Sequence, residues 1–311
     1  MRGFLSKTLI ALAIVLGLHA AAGFLANGTT DEYYLRFTTE RQRSMILGGS
    51  RAAQGLHPDV LNARAGADRF EGPLYGFAFT IAHSPYGPAY LHAIVEKLDP
   101  RTRNGLFILQ VDPWLLSSVK DSATGQEALN EADNALGVQW TWNMRPNYEY
   151  LARYWDRGWG ALGHWPQGDP DTSAVLMPDG RLDLHVDMSP AMVKGRTARK
   201  LRIYREEYLP GRQLSDTRFE HLRRIVRLLR EHGTVCLVRL PVGPGIASVE
   251  NTFAADLPVR VRDLAQAEGV HFIDLDTIHA VGFTDGNHLD LASGRLVSEA
   301  LARALPAPTA H

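Results

Sequence analysis

The chain has 311 residues, 45% of them apolar and 22% charged, with a net charge of −1 at neutral pH. That is an ordinary globular balance, long enough for a full core, built either as one large domain with an insertion or as two smaller ones. The near-zero charge gives no basis for a nucleic-acid partner, and the single cysteine, Cys236, excludes an intramolecular disulfide and reads as a small buried hydrophobe.

The N-terminus carries Arg2 and Lys7 and then "TLIALAIVLGLHAAAGFLA", a run without an acid. This is an export signal with its positive end kept inside. Two fates are open. Ala20-Ala21-Ala22 before Gly23 fits a small-residue cleavage site, whereas Thr8 to Ala26, uncleaved, supplies 19 residues toward the ~20 that span a bilayer. On either fate the remainder is expected outside the cytoplasm, in the cell envelope. Residues 1–27 are therefore read as a signal anchor or signal peptide, and 28–311 as the folded part.

Short apolar runs then alternate with helical patterns. Strands are expected at Ser44–Gly48, Tyr75–Ile81, Gly105–Val111, Thr234–Leu240 and Val270–Leu275. A helix is expected over Pro85–Leu98, with Pro85 at its start. Another covers "RQLSDTRFEHLRRIVRLLREHG", where Phe219, Leu222, Ile225, Val226 and Leu229 recur at helical spacing and Gly233 is a stop. Two further helices precede and follow the fifth strand. Such alternation implies an α/β fold with a parallel sheet covered on both faces.

The alternation breaks at about 114–210, after the third strand. All six tryptophans, Trp114 to Trp165, fall at the start or in the first half of this insertion. Its rings either line a substrate groove at the carboxyl ends of the strands or fill a small core of the insertion's own. Further on, "KGRTARKLRIYREEY", Lys194 to Tyr208, is strongly basic. It suits either an anionic glycan or headgroup or a solvated helix with paired Arg and Glu.

The chemistry concentrates at two places. "MILGGSRAAQGLHP" sets Ser50 behind Gly48-Gly49 at a strand-to-helix turn. Such a turn exposes a hydroxyl to a base and offers backbone N–H groups to an oxyanion. A serine that merely caps a helix reads the same way. "FTDGNHLDLASG" places Asp285 and His288 three residues apart just before the last helix. That spacing lets the carboxylate hold one imidazole nitrogen while the other takes the serine proton. A solvated loop with Asp290 as helix cap also accounts for it. Asp274, Asp276, Asp285, His288 and Asp290 crowd one segment, but acidic strand ends plus a catalytic pair explain them more simply than a metal. No Walker loop or dinucleotide fingerprint is present, and no cofactor or metal is expected.

Together, the Gly-x-Ser after the first strand and the Asp-x-x-His before the last helix resemble the SGNH/GDSL hydrolase superfamily. "GGSRAAQGLHP", with arginine after the serine, looks more specifically like a membrane-tethered branch whose members partner membrane-bound O-acyltransferases. The resemblance implies a flavodoxin-like three-layer sandwich with a five-stranded parallel sheet. It also implies ester chemistry on an acylated glycan or other O-acyl ester, with Ser50 as nucleophile, His288 as base and Asp285 as its orienting acid. The chain departs from the family's pattern at two points. Gly49 replaces the usual aspartate, and "VDPW", with Asp112, stands where a Gly-x-Asn-Asp block should supply the oxyanion asparagine. Substitute groups for the oxyanion or the substrate are sought in Gly49, Arg51, His83, Ser84, the backbone near Gly87, Asp112 and Arg239. With the hole half built, the alternative is a scaffold that keeps the frame without turnover.

Overall fold

The computed structural model describes residues 2–25, 31–65, 69–120, 127–129, 131, 135–154 and 172–307. The chain divides into two compact units. One comprises 1–40, 139–178 and 182–185, and the other 41–138, 179–181 and 186–311.

The larger unit is built on a sheet of β1 (Ser44–Gly48), β2 (Leu74–Ala78), β3 (Gly105–Gln110), β4 (Gly233–Arg239) and β5 (His271–Asp274), in the order β5-β4-β3-β1-β2. Every pairing is parallel, for example Leu47 opposite both Phe77 and Leu109, and Ile108 opposite Cys236. All residues of β1, β2 and β3 are buried, as expected when helices cover both faces. On one face α8 (Leu291–Ala304) packs on α1 (Ser50–Gly55) and α2 (Pro58–Ala65). On the other, α5 (Asp216–Arg230) packs on α3 (Pro88–Lys97) and α7 (Leu257–Glu268). Two more helices, α4 (Pro190–Ile203) and α6 (Pro244–Ala254), pack on each other. Strand order reverses at β1, between β2 and β3, so the carboxyl end of β1 is the place where open α/β sheets bind ligands.

The five expected strands are all present, as is the aromatic-rich insertion between β3 and β4. The amphipathic stripe of α5 is buried in full: Phe219, Leu222, Ile225, Val226 and Leu229. Ser215 caps it by accepting from the Arg218 N–H at 3.1 Å. Helix α3 starts at Pro88 rather than Pro85, because Gly87 is still extended and precedes it as the cap. Cys236 lies mid-strand in β4, fully buried, and burial pushes its thiol up to about 12.

The smaller unit contains the N-terminal helix Arg2–Leu25. By length and composition its Gly3–Ala21 stretch, mean hydropathy 1.8, is apolar enough to cross a membrane. Its last turns meet the helix Tyr148–Arg153 of the same unit: a Cβ on Gly23 would come within 2.8 Å of Pro146 and 3.2 Å of Leu151. Part of the tryptophan cluster forms this unit's core. Phe37 stacks on Trp142 at 4.8 Å and lies 4.7 Å from the Tyr150 ring, whose hydroxyl donates to Asp31. Trp140 is exposed, and Trp155, Trp159 and Trp165 lie outside the described residues.

Candidate active site

Strand β1 ends in a glycine for a reason. Gly48 has φ +139°, a conformation side chains avoid, and a Cβ there would lie 2.7 Å from that of Gln110. The turn is pinned on several sides. The Gly48 N–H donates to the Tyr90 hydroxyl at 2.9 Å, its carbonyl accepts from Ser84 at 2.8 Å, and the Gly49 N–H donates to Gln110 Oε1 at 2.9 Å. The Gly49 carbonyl accepts from Ala52 and Ala53, which starts α1 and leaves Ser50 half-exposed at its first position.

From the other end of the chain, Gly286, at φ +78°, turns the Asp285–His288 segment. Asp285 Oδ1 accepts from the backbone N–H groups of Asn287 and His288, both at 3.0 Å, which shapes the loop as an Asx turn. Helix α4 braces it from outside: Arg196 donates to the Thr284 carbonyl at 2.9 Å and Lys200 lies 3.3 Å from the Asp285 carboxylate. No residue of α4 is buried, so this basic stretch is a solvated helix with two of its cations turned onto the loop.

These two ends meet. His288 Nδ1 lies 3.0 and 3.1 Å from the two Asp285 oxygens, and His288 Nε2 lies 2.9 Å from Ser50 Oγ. An ionised carboxylate only accepts, so Nδ1 carries the proton and Nε2 accepts from the serine hydroxyl. Burial would raise the Asp285 carboxyl, but His288, Lys200 and the Asn287 N–H outweigh it and hold the group well below the usual carboxylate range. Asp285 therefore stays ionised across the neutral range.

Behind Ser50 lies a second cluster, and it contains groups that no sequence motif marks. Arg51 is buried. It donates to Asn287 Oδ1 through Nε at 3.1 Å and Nη2 at 2.7 Å, pairs closely with Glu250, and has Asp112 Oδ2 at 3.9 Å. The Trp114 indole N–H donates to the same Glu250 carboxylate at 2.6 Å. Burial works against the guanidinium's charge, yet Glu250 and Asp112 more than restore it. The remaining amide nitrogen of Asn287 faces His288 Nε2 at 3.1 Å. Arg51 is thus a framework group rather than a substrate ligand.

The other expected oxyanion and substrate groups fare differently. The Gly49 N–H is already occupied by Gln110. Asp112 accepts from Gln110 Nε2 at 2.7 Å and from the Leu115 N–H at 2.9 Å, and is an acceptor where the family's pattern has a donor. Ser84 is buried, with its one hydroxyl proton directed at the Gly48 and Thr80 carbonyls. His83 bonds Thr80 Oγ1 at 2.8 Å within its own turn. Gly87 lies against the pair of Glu131 with the buried Arg218. Arg239 pairs with Asp274 at 3.4 Å and Asp276 at 2.7 Å. Asp290 caps α8 through the Ser293 N–H at 2.8 Å. Signals for the missed groups were present: Gln110 ends an otherwise apolar strand, and Glu250 sits beside the apolar stripe of Ile246 and Val249 on α6.

No protein-family model matches the chain, and no curated protein matches it. Among solved structures it is similar to the native aryl esterase of M. smegmatis, at 14% identity over 84% of this chain and 97% of that one, with a TM-score of 0.39. It is also similar to a carbohydrate acetylesterase from Sinorhizobium meliloti, at 11% identity over 85% and 98%, with a TM-score of 0.37.

Proposed function

We propose that the chain is an extracytoplasmic serine esterase or O-acyltransferase acting on an acylated carbohydrate, held at the membrane by its N-terminal helix. The observation that carries this reading is the unbroken contact from Ser50 Oγ through His288 to Asp285. Ser50 Oγ attacks the acyl carbonyl carbon as its proton moves to His288 Nε2, and the carbonyl π pair moves to oxygen. Asp285 stabilises the imidazolium so formed. Collapse of the tetrahedral species re-forms the C=O bond and expels the alkoxide, which takes the proton from His288 Nε2. The acyl-serine then yields to water, or to a sugar hydroxyl, by the same steps in reverse order.

A second reading is a non-catalytic frame that binds glycan or a membrane-bound O-acyltransferase. It is favoured by the Gly49 N–H being taken by Gln110 and by the carboxylate at Asp112. A serine-reactive fluorophosphonate decides between the two. Labelling of the unaltered chain that disappears in Ser50→Ala is the expected result. Absence of labelling in a folded chain, with an acyltransferase partner supplied, sinks the catalytic reading and leaves the frame.

A further inference from the structure

The expected oxyanion asparagine is missing after β3, and the Gly49 N–H is occupied. An acyl-serine mechanism requires a donor beside Ser50 that this chain does not carry at the family's usual position, and the assignment of that donor rests on the catalytic reading of Ser50. Backbone N–H groups at the start of α1 are one part of it, since the first turn of a helix has no carbonyl four residues back to bond. One backbone contact leaves the hole short of a partner.

Asn287 meets the requirement. Its amide orientation is fixed by chemistry: Arg51 has donors only, so the atom it touches at 2.7 and 3.1 Å is the carbonyl oxygen, and the NH2 is turned toward His288 Nε2 at 3.1 Å. That same Nε2 is 2.9 Å from Ser50 Oγ, so the amide nitrogen and the nucleophile converge on one atom. Asn287 is 1% exposed, and Arg51 behind it is held by Glu250, which Trp114 holds in turn. The side chain is therefore preorganised and does not have to be recruited when charge develops.

We infer that Asn287 donates to the oxyanion from the histidine loop, replacing the asparagine absent after β3, with Arg51 as its positioning residue. The resting contact explains why the donor acts selectively on the transition state. Before attack, Nε2 has a lone pair that receives both the serine O–H and the Asn287 N–H. Once Nε2 takes the serine proton it becomes a donor, and the amide N–H loses its acceptor. In the same step the carbonyl oxygen beside Ser50 becomes an anion. The N–H gains its new acceptor as it loses the old one, so the interaction is stronger in the transition state than in the ground state. The guanidinium on the amide oxygen draws electron density from the NH2 and makes it a better donor.

The test is steady-state hydrolysis of 4-nitrophenyl acetate by the full chain and by Asn287→Ala, Asn287→Asp and Ser50→Ala. Loss of one oxyanion donor predicts a fall in kcat of about 10²–10³ in both Asn287 variants, with KM changed by less than about twofold. The acid limb of the kcat/KM profile, which reports the base, should move to higher pH by less than about one unit in Asn287→Ala, because the lost N–H bonded only the neutral form of Nε2. The aspartate variant keeps the size of the side chain and supplies the same kcat comparison if the alanine variant fails to fold. If Ser50→Ala matches the unaltered chain, the acyl-serine reading fails. If Ser50→Ala is inert while the Asn287 variants keep kcat within about threefold, that reading stands and the Asn287 assignment is overturned. A kcat that returns to within about threefold of the unaltered chain once the pH lies above the displaced limb would make Asn287 a support for His288 alone, and also overturns it.

Discussion

Lys97 ends α3 inside the core with no accessible surface, its ammonium 5.5 Å from the Tyr75 ring centre and 5.8 Å from that of Phe77. Burial lowers its pKa to about 7. Below pH 7 both folded and unfolded chains carry the charge, and the folded state bears the cost of burying it. Between pH 7 and the ordinary lysine value of ~10.4 only the unfolded chain is protonated, so stability rises with pH across that window. Lys97→Met should therefore melt higher than the unaltered chain at pH 6, and the gap should narrow by pH 9.5; thermal melts at the two pH values measure it. Residues of the site differ in how readable they were. Asp285 and His288 sit in one turn and Ser50 follows a strand-and-glycine signature, so their chemistry was legible locally. Arg51 and Glu250 are 199 positions apart, and each alone looks like an ordinary helix charge. Asn287 lies inside the Asp-x-x-His motif but acquires a role only when Arg51 reveals which way its amide faces.

At the scale of elements, five buried apolar runs bounded by turn residues named the strands, because a sheet covered on both faces has no polar side to blur the pattern. The start of α3 was less legible. Pro85 and Pro88 are equally good helix openers by type, and what separates them is the Ser84 hydroxyl bonding the Gly48 carbonyl across to β1. That tie keeps 81–87 as a turn. Helix α6 was not singled out by its spacing, and its energetic importance comes from Glu250, which is buried and meets Arg51 and Trp114. Glu250→Ala leaves the Arg51 guanidinium buried without its principal counter-charge, and should cost about 3–5 kcal/mol of stability. Urea unfolding with an unchanged m-value checks it. A loss under about 1 kcal/mol would mean Asp112 suffices as partner.

For the whole molecule, the aromatic insertion was legible as an excursion but not in its allegiance. Trp142 and Tyr150 pack with Tyr34 and Phe37 from before the first strand, whereas Trp114 belongs to the network behind Ser50. Composition gives no way to assign rings from one cluster to two cores. The N-terminal helix carries a related lesson. Its Ala20–Ala22 segment is helical and the neighbouring Gly23 is buried against Pro146 and Leu151, whereas a protease needs extended, accessible backbone. The uncleaved anchor is the outcome expected. Intact mass of the full-length expression product, from membrane and soluble fractions alike, tests it, and a mature chain beginning near Gly23 would refute it.

Cys236, mid-strand in β4, has a practical consequence. A thiol is modified as its thiolate, and one buried there with its pKa near 12 is inert at neutral pH. The wild-type chain is therefore a blank background for maleimide chemistry. A single cysteine engineered on the surface would carry a dye or spin label to one address, leaving a serine-directed probe to report on Ser50 in the same molecule without cross-talk.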